Sequence, residues 1–195
     1  IGTEVTLKNL TISNNFSSGG GGVMIQDSSP TLTNVLITNN TSSERGGGLW
    51  TYAGPNNFPV LTNVTITGNV AGNNGGGCYL DGPSPTFHSC DILNNTASES
   101  GGGIYSENSS FTLDNVTVSN NSSTGVTWDN GGVGGISINS AYYNGSSEDP
   151  IRILNSTISN NTATGDSSIG GLFVSNVDSI NDCPPNPGNT DIISI

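Results

Sequence analysis

Residues 101–121 read GGGIYSENSSFTLDNVTVSNN, and the spacing of their apolar positions decides the fold. Leu113, Val116 and Val118 lie three and then two residues apart, so two strands of period two meet at a bend whose corner is Asn115. Ile104 and Ser106 alternate in the same way after the glycines. The rest of the stretch is turn residues, with no room for a helix. Three short strands closing on themselves bury one column of alternate residues, and such a unit needs a neighbour above and below it.

The neighbours are in the sequence. The pattern L-x-N-V-T-I-x-x-N recurs at Leu7–Asn15, Leu32–Asn40, Leu61–Asn69, Phe87–Asn95, Leu113–Asn121 and Ile153–Asn161, in steps of 25, 29, 26, 26 and 40 residues. Each copy is followed by a glycine run and an apolar strand, from GGGGVMI at 19–25 to GGLFV at 170–174. A period of this size marks a solenoid. The expectation is an all-β, right-handed parallel β-helix of about six coils with three short strands each, spanning 1–182. Residues 183–195 are expected to form a Pro-rich connector and an apolar C-terminal strand.

Corner chemistry explains the composition. Asn tolerates the left-handed backbone of a sharp bend, and its amide can bond the same amide one coil away. Asn9, Asn34, Asn63, Asn115 and Asn155 form one expected ladder, which Ser89 interrupts. Asn15, Asn40, Asn69, Asn95, Asn121 and Asn161 form a second without exception.

These rows resemble the repeat of the polymorphic outer-membrane protein family, whose units carry a GG[A/I/L/V] motif and an FxxN motif. The first is matched by Gly47-Gly48-Leu49 and Gly102-Gly103-Ile104, and by Gly76-Gly77-Cys78 with Cys in the apolar place. The second is matched, with Ile or Val for Phe, by Ile12-xx-Asn15, Ile37-xx-Asn40, Ile66-xx-Asn69, Ile92-xx-Asn95, Val118-xx-Asn121 and Ile158-xx-Asn161. The resemblance covers 7–174 and implies a surface-exposed, often adhesive β-helix. The β-barrel that follows in that family is not in this sequence.

Composition bounds the partners. Three cations, Lys8, Arg45 and Arg152, stand against 15 carboxylates, and the net charge of −12 argues against nucleic acid or anionic lipid. No run of 18 apolar residues is present, so no helix is expected to enter a membrane. The opening at Ile1, already close to the first coil, reads as a processed or truncated product. Sequons are dense and fit a secreted or cell-surface protein. Asn39, Asn94, Asn120 and Asn160, just before the second ladder, are the expected glycan sites. Cys78 and Cys90 take inward places held elsewhere by Leu, Ile or Val, on different sheets, so both are expected as core thiols; Cys183 is the reactive candidate.

One column stands out. The outward residues of the glycine-led strands are Met24, Trp50, Tyr79, Tyr105, Ser137 and Phe173, and an exposed stripe of this kind marks a contact surface. A protein partner or another copy is the first expectation, cover by the chain's own inserts or tail the second, sugar stacking the third. Ile192, Ile193 and Ile195 offer an apolar strand for self-association. The outward residues Thr11, Leu36, Thr65, Asp91, Thr117 and Thr157 read as β-propensity and cross-coil threonine pairing, since Leu36 and Asp91 break any flat array.

No catalytic constellation is expected, because the outward carboxylates Asp91 and Asp114 do not stack and His88 is the only histidine. No metal or cofactor motif is present, and the glycine runs are repeated corners, so a nucleotide loop does not fit them. The sequence reads as a structural or adhesive rod, a surface-fibre subunit in its most specific form. A polysaccharide-binding or polysaccharide-cleaving β-helix is the alternative.

Overall fold

A computed structural model describes residues 5–52, 57–82, 84–125, 132–139, 151–165 and 167–175. The expected register is present throughout. Leu7 pairs with Leu32, Leu32 with Leu61, and the series runs through Phe87 and Leu113 to Ile153, always in parallel. The 40-residue step that carries the large insertion leaves this register unchanged.

Three parallel sheets enclose the core. The largest is built from the repeated motif itself, from Thr6–Ser13 at one end to Arg152–Leu154 and Thr157–Ser159 at the other. Its first two members run unbroken through the asparagine corner for eight residues, whereas later ones divide there, as in Val60–Thr62 and Thr65–Thr67. The two strands expected on either side of the corner therefore share one bent sheet. A six-stranded sheet of short segments, from Phe16–Gly19 to Thr162–Ala163, supplies the second side. The glycine-led strands Val23–Gln26, Leu49–Tyr52, Cys78–Asp81, Ile104–Glu107, Ile136–Asn139 and Leu172–Ser175 form the third.

Backbone sign changes make the corners. Asn9, Asn34, Asn63, Ser89, Asn115 and Asn155 all have φ between 49° and 56°, so Ser89 keeps the bend that Asn makes elsewhere. A second left-handed row, Asn14, Asn39, Gly68, Asn94, Asn120 and Asn160, turns the chain from the first sheet into the second. The two asparagine ladders differ in place. The first is exposed and partial: Asn34 donates to Asn9 at 2.9 Å and Asn63 to Asn34 at 2.8 Å, but Asn115 donates to Ser89 Oγ and Asn155 to Asp114 Oδ1. Asn155 is thus not joined to Asn115 as the sequence suggested, because the carboxylate of Asp114 takes its amide at 3.1 Å instead.

The second ladder is buried and continuous. Asn69 is representative: its backbone N–H and its Nδ2 both donate to Asn95 Oδ1, at 2.9 and 3.0 Å, and Nδ2 also donates to Ile37 O at 3.0 Å. Asn40 supplies the two donors that reach Asn69 Oδ1. Every polar atom of a wholly buried amide is thereby satisfied, which removes the penalty that an unpaired buried group would carry. Inside the ladder lies one apolar column that includes Leu32, Ile37, Leu61, Ile66, Phe87, Ile92, Leu113 and Val118. Cys78 and Cys90 belong to it as free thiols, and burial pushes the Cys90 thiol up to about 11 and that of Cys78 higher still. Trp128, Cys183, Ile192, Ile193 and Ile195 lie outside the described residues.

Candidate functional site

The glycine-led sheet carries the densest chemistry on the described surface. Its outward column is in the expected register, with Met24, Trp50, Tyr79, Tyr105, Ser137 and Phe173 opposite one another in successive coils. The expected exposure is not uniform. Met24, in the first coil, is 46% exposed, whereas Tyr79 in the middle is 1% exposed and Trp50, Tyr105 and Phe173 are partly buried. Rings carried on strands about 4.8 Å apart are too broad to stand separately in water, so they cover one another. Tyr79 and Tyr105 stack at 5.2 Å with planes 10° apart, and Trp50 meets Tyr79 edge-on at 6.2 Å. Tyr52, nearly half exposed, packs against Trp50 at 5.9 Å. The stripe is a slab.

Gly19 makes room for it. A Cβ there would stand 2.3 Å from Trp50 Cζ3, so the glycine at the end of the neighbouring strand lets the indole fold back over the chain. Trp50 Nε1 is buried with no hydrogen-bond partner among the described residues.

Two residues further along each strand, on the same face, comes a column the sequence reading did not use: Gln26, Tyr52, Asp81, Glu107, Asn139 and Ser175. Asp81 and Glu107 lie opposite each other on adjacent coils. The expectation that outward carboxylates do not stack is therefore corrected. The strands reach one residue past Leu80 and Ser106, so Asp81 and Glu107 stand in the ladder and not at the corner; the two-residue alternation carried one step past Tyr79 and Tyr105 leads to them.

The carboxylates are tied into the slab. Tyr79 donates its hydroxyl to Glu107 Oε2, and the Arg45 guanidinium sits 5.0 Å from the centre of the Tyr79 ring. Burial, then the Glu107 contact and charge, holds the Tyr79 hydroxyl well above its ordinary range. Asp81 is also raised, by burial first and the Glu107 charge second, with Arg45 opposing both. A carboxyl raised above its ordinary value, a second carboxylate, a cation and an aromatic slab thus share one face. Such a set can accept hydrogen bonds from hydroxyls and cover an apolar ring face.

Other candidates are dispersed. Asn39, Asn94, Asn120 and Asn160 are exposed, in the left-handed row. His88 Nδ1 lies 3.5 Å from Asp114 Oδ2 on the opposite, solvent-facing sheet. Among the described residues, no group of three His, Cys, Asp or Glu side chains is placed to hold a metal.

The family model described as a right handed beta helix region matches residues 2–110, more than half of the 195 residues. No curated protein and no solved structure matches the chain. With its three parallel sheets, its repeated corners and this match, the chain belongs to the right-handed β-helix family.

Proposed function

We propose that this chain is an adhesive, non-catalytic β-helix of a secreted or cell-surface protein, and that it binds neutral glycans across the outer face of the glycine-led sheet. The slab of Trp50, Tyr79 and Tyr105 beside the Asp81 and Glu107 carboxylates carries this reading. Pyranose rings present apolar C–H faces to aromatics and hydroxyl donors to carboxylates. A net charge of −12 and two carboxylates in the site disfavour acidic polysaccharides. The likeness of the repeat to polymorphic outer-membrane proteins supports a surface setting. Isothermal titration calorimetry with cello-, xylo- and chito-hexaose, and with polygalacturonate as the acidic control, tests the proposal. At least one neutral oligosaccharide should bind, and Trp50→Ala should abolish that binding; preference for polygalacturonate would refute it.

The raised Asp81 beside Glu107 favours a second reading, glycoside hydrolysis with Asp81 as the proton donor. Release of reducing ends from a neutral glycan, lost in Asp81→Asn, would replace binding by cleavage.

A further inference from the structure

The glycine-led sheet has an order across its outer face as well as along it. Arg45 closes the strand Thr41–Arg45 just before the glycine corner, the rings of Trp50, Tyr79 and Tyr105 follow the corner, and Asp81 and Glu107 stand two residues beyond the tyrosines. A donor edge, an aromatic middle and an acceptor edge therefore lie side by side. Tyr79 joins all three, with its ring beneath the guanidinium and its hydroxyl on Glu107.

Both edges have hydrogen-bonding capacity to spare. Among the described residues the Arg45 guanidinium has the Tyr79 ring beside it, but no carboxylate within ion-pair distance and no acceptor for its N–H groups. On the other edge Tyr79 engages only Oε2 of Glu107, and neither side-chain oxygen of Asp81 has a donor among the described residues. The two carboxylates repel each other across adjacent coils, so a donor settling between them would ease that repulsion. A ligand group that fits must offer an acceptor to one edge and a donor to the other from one flat body. A hydroxyl does both through a single oxygen and serves one edge at a time. A carboxylate suits Arg45 and is repelled by Asp81 and Glu107, and an ammonium does the reverse. A secondary amide holds its C=O and N–H on opposite sides of one plane, and an acetamido group adds a methyl for the aromatic middle.

We propose that Arg45 and the Asp81–Glu107 pair read the acetamido group of a neutral amino sugar, so that the face selects N-acetylated glycans over all-hydroxyl ones. The amide oxygen accepts from the Arg45 guanidinium, the amide N–H donates to the carboxylate pair, and the methyl and the pyranose face cover Trp50 and Tyr105. The sealed Tyr79 ring keeps the guanidinium over the face. This inference rests on glycan binding at the same face and adds its selectivity.

Isothermal titration calorimetry of the full chain with chitohexaose, cellohexaose and the glucosamine hexamer, at one pH and salt, tests it. Chitohexaose should bind about tenfold tighter than cellohexaose or more, the ratio that one hydrogen bond to a charged group supplies. Arg45→Met, which keeps the ring covered, should bring the two affinities together, and Arg45→Lys should restore part of the ratio. Glu107→Gln, which still accepts the Tyr79 hydroxyl, should also lower the ratio and replaces Arg45→Met if that variant does not fold. Equal affinity of the wild-type chain for the two oligosaccharides, or an unchanged ratio in Arg45→Met and Glu107→Gln, overturns acetamido selectivity and leaves glycan binding in place. No binding of any neutral oligosaccharide overturns both. Tighter binding of the glucosamine hexamer than of chitohexaose would show the carboxylates reading a positive charge, and equal binding of a capped triglycine would name a peptide amide as the ligand; either result overturns the assignment.

Discussion

Asp81 is the residue where stability and the proposed sugar binding pull apart. Its folded-state proton is held more tightly than the ordinary carboxyl value of 3.8 would give, because ionisation puts a second charge beside Glu107 in a partly buried site. The folded form therefore binds more protons than the unfolded form above pH 3.8, and stability falls as pH rises through the raised value. Asp81→Asn should remove that slope and raise the melting temperature at neutral pH, while weakening sugar binding. Melting curves from pH 3 to 8 for both proteins check the sign; an unchanged slope would show that Asp81 is not the titrating group. Val116 and Thr117 test the faces of the strand. Val116 is 1% exposed, and Val116→Asp should cost several kcal/mol as an unpaired buried charge. Thr117→Asp faces outward but stands opposite Asp91, so a cost of about 0.2–1 kcal/mol is expected. Equal loss of denaturation midpoint in the two variants would reverse the assignment.

At the scale of strands and corners, the sequence is most readable where one pressure acts alone. Inward apolar residues and corner asparagines recur at fixed offsets, so the register of the largest sheet and the outward aromatic column were legible even across the 40-residue step. The short segments Val70–Ala71, Thr96–Ala97 and Ser122–Ser123 were not, because two residues contain no alternation. Their pairing comes from the coils around them. The pair Asp81 and Glu107 was missed for a related reason: carboxylates at a strand end look like loop composition, and only the neighbouring strand shows that they are still in the ladder. Burial was the least readable property, since Tyr79 is hidden by its own column. The corner rows also make a prediction about modification. In Asn63, Asn115 and Asn155 the amide nitrogen is engaged, and Asn40 and Asn121 are wholly buried. If the protein is glycosylated, sugar should fall on exposed Asn39, Asn94, Asn120 and Asn160, as intact glycopeptide mass spectrometry would show. Sugar confined to Asn63, Asn115 or Asn155 would contradict it.

At the scale of the whole molecule, the described residues form a column of three chemically unlike sides. One sheet offers threonines and exposed corner amides, one is narrow and built of short segments, and one gathers aromatic rings, two carboxylates and Arg45. A solenoid can place such a face because its strands repeat at about 4.8 Å, so residues 25 to 30 apart in sequence become neighbours on adjacent strands. The third face is the proposed binding surface, and the Trp50 indole is its built-in reporter, with an N–H that has no partner among the described residues. In a Trp128→Phe background, the indole ¹H–¹⁵N peak of Trp50 should move saturably as neutral oligosaccharide is added, and should stay still with polygalacturonate. An indole peak that does not move while peaks from the other two sheets do would place the binding surface elsewhere and contradict the account.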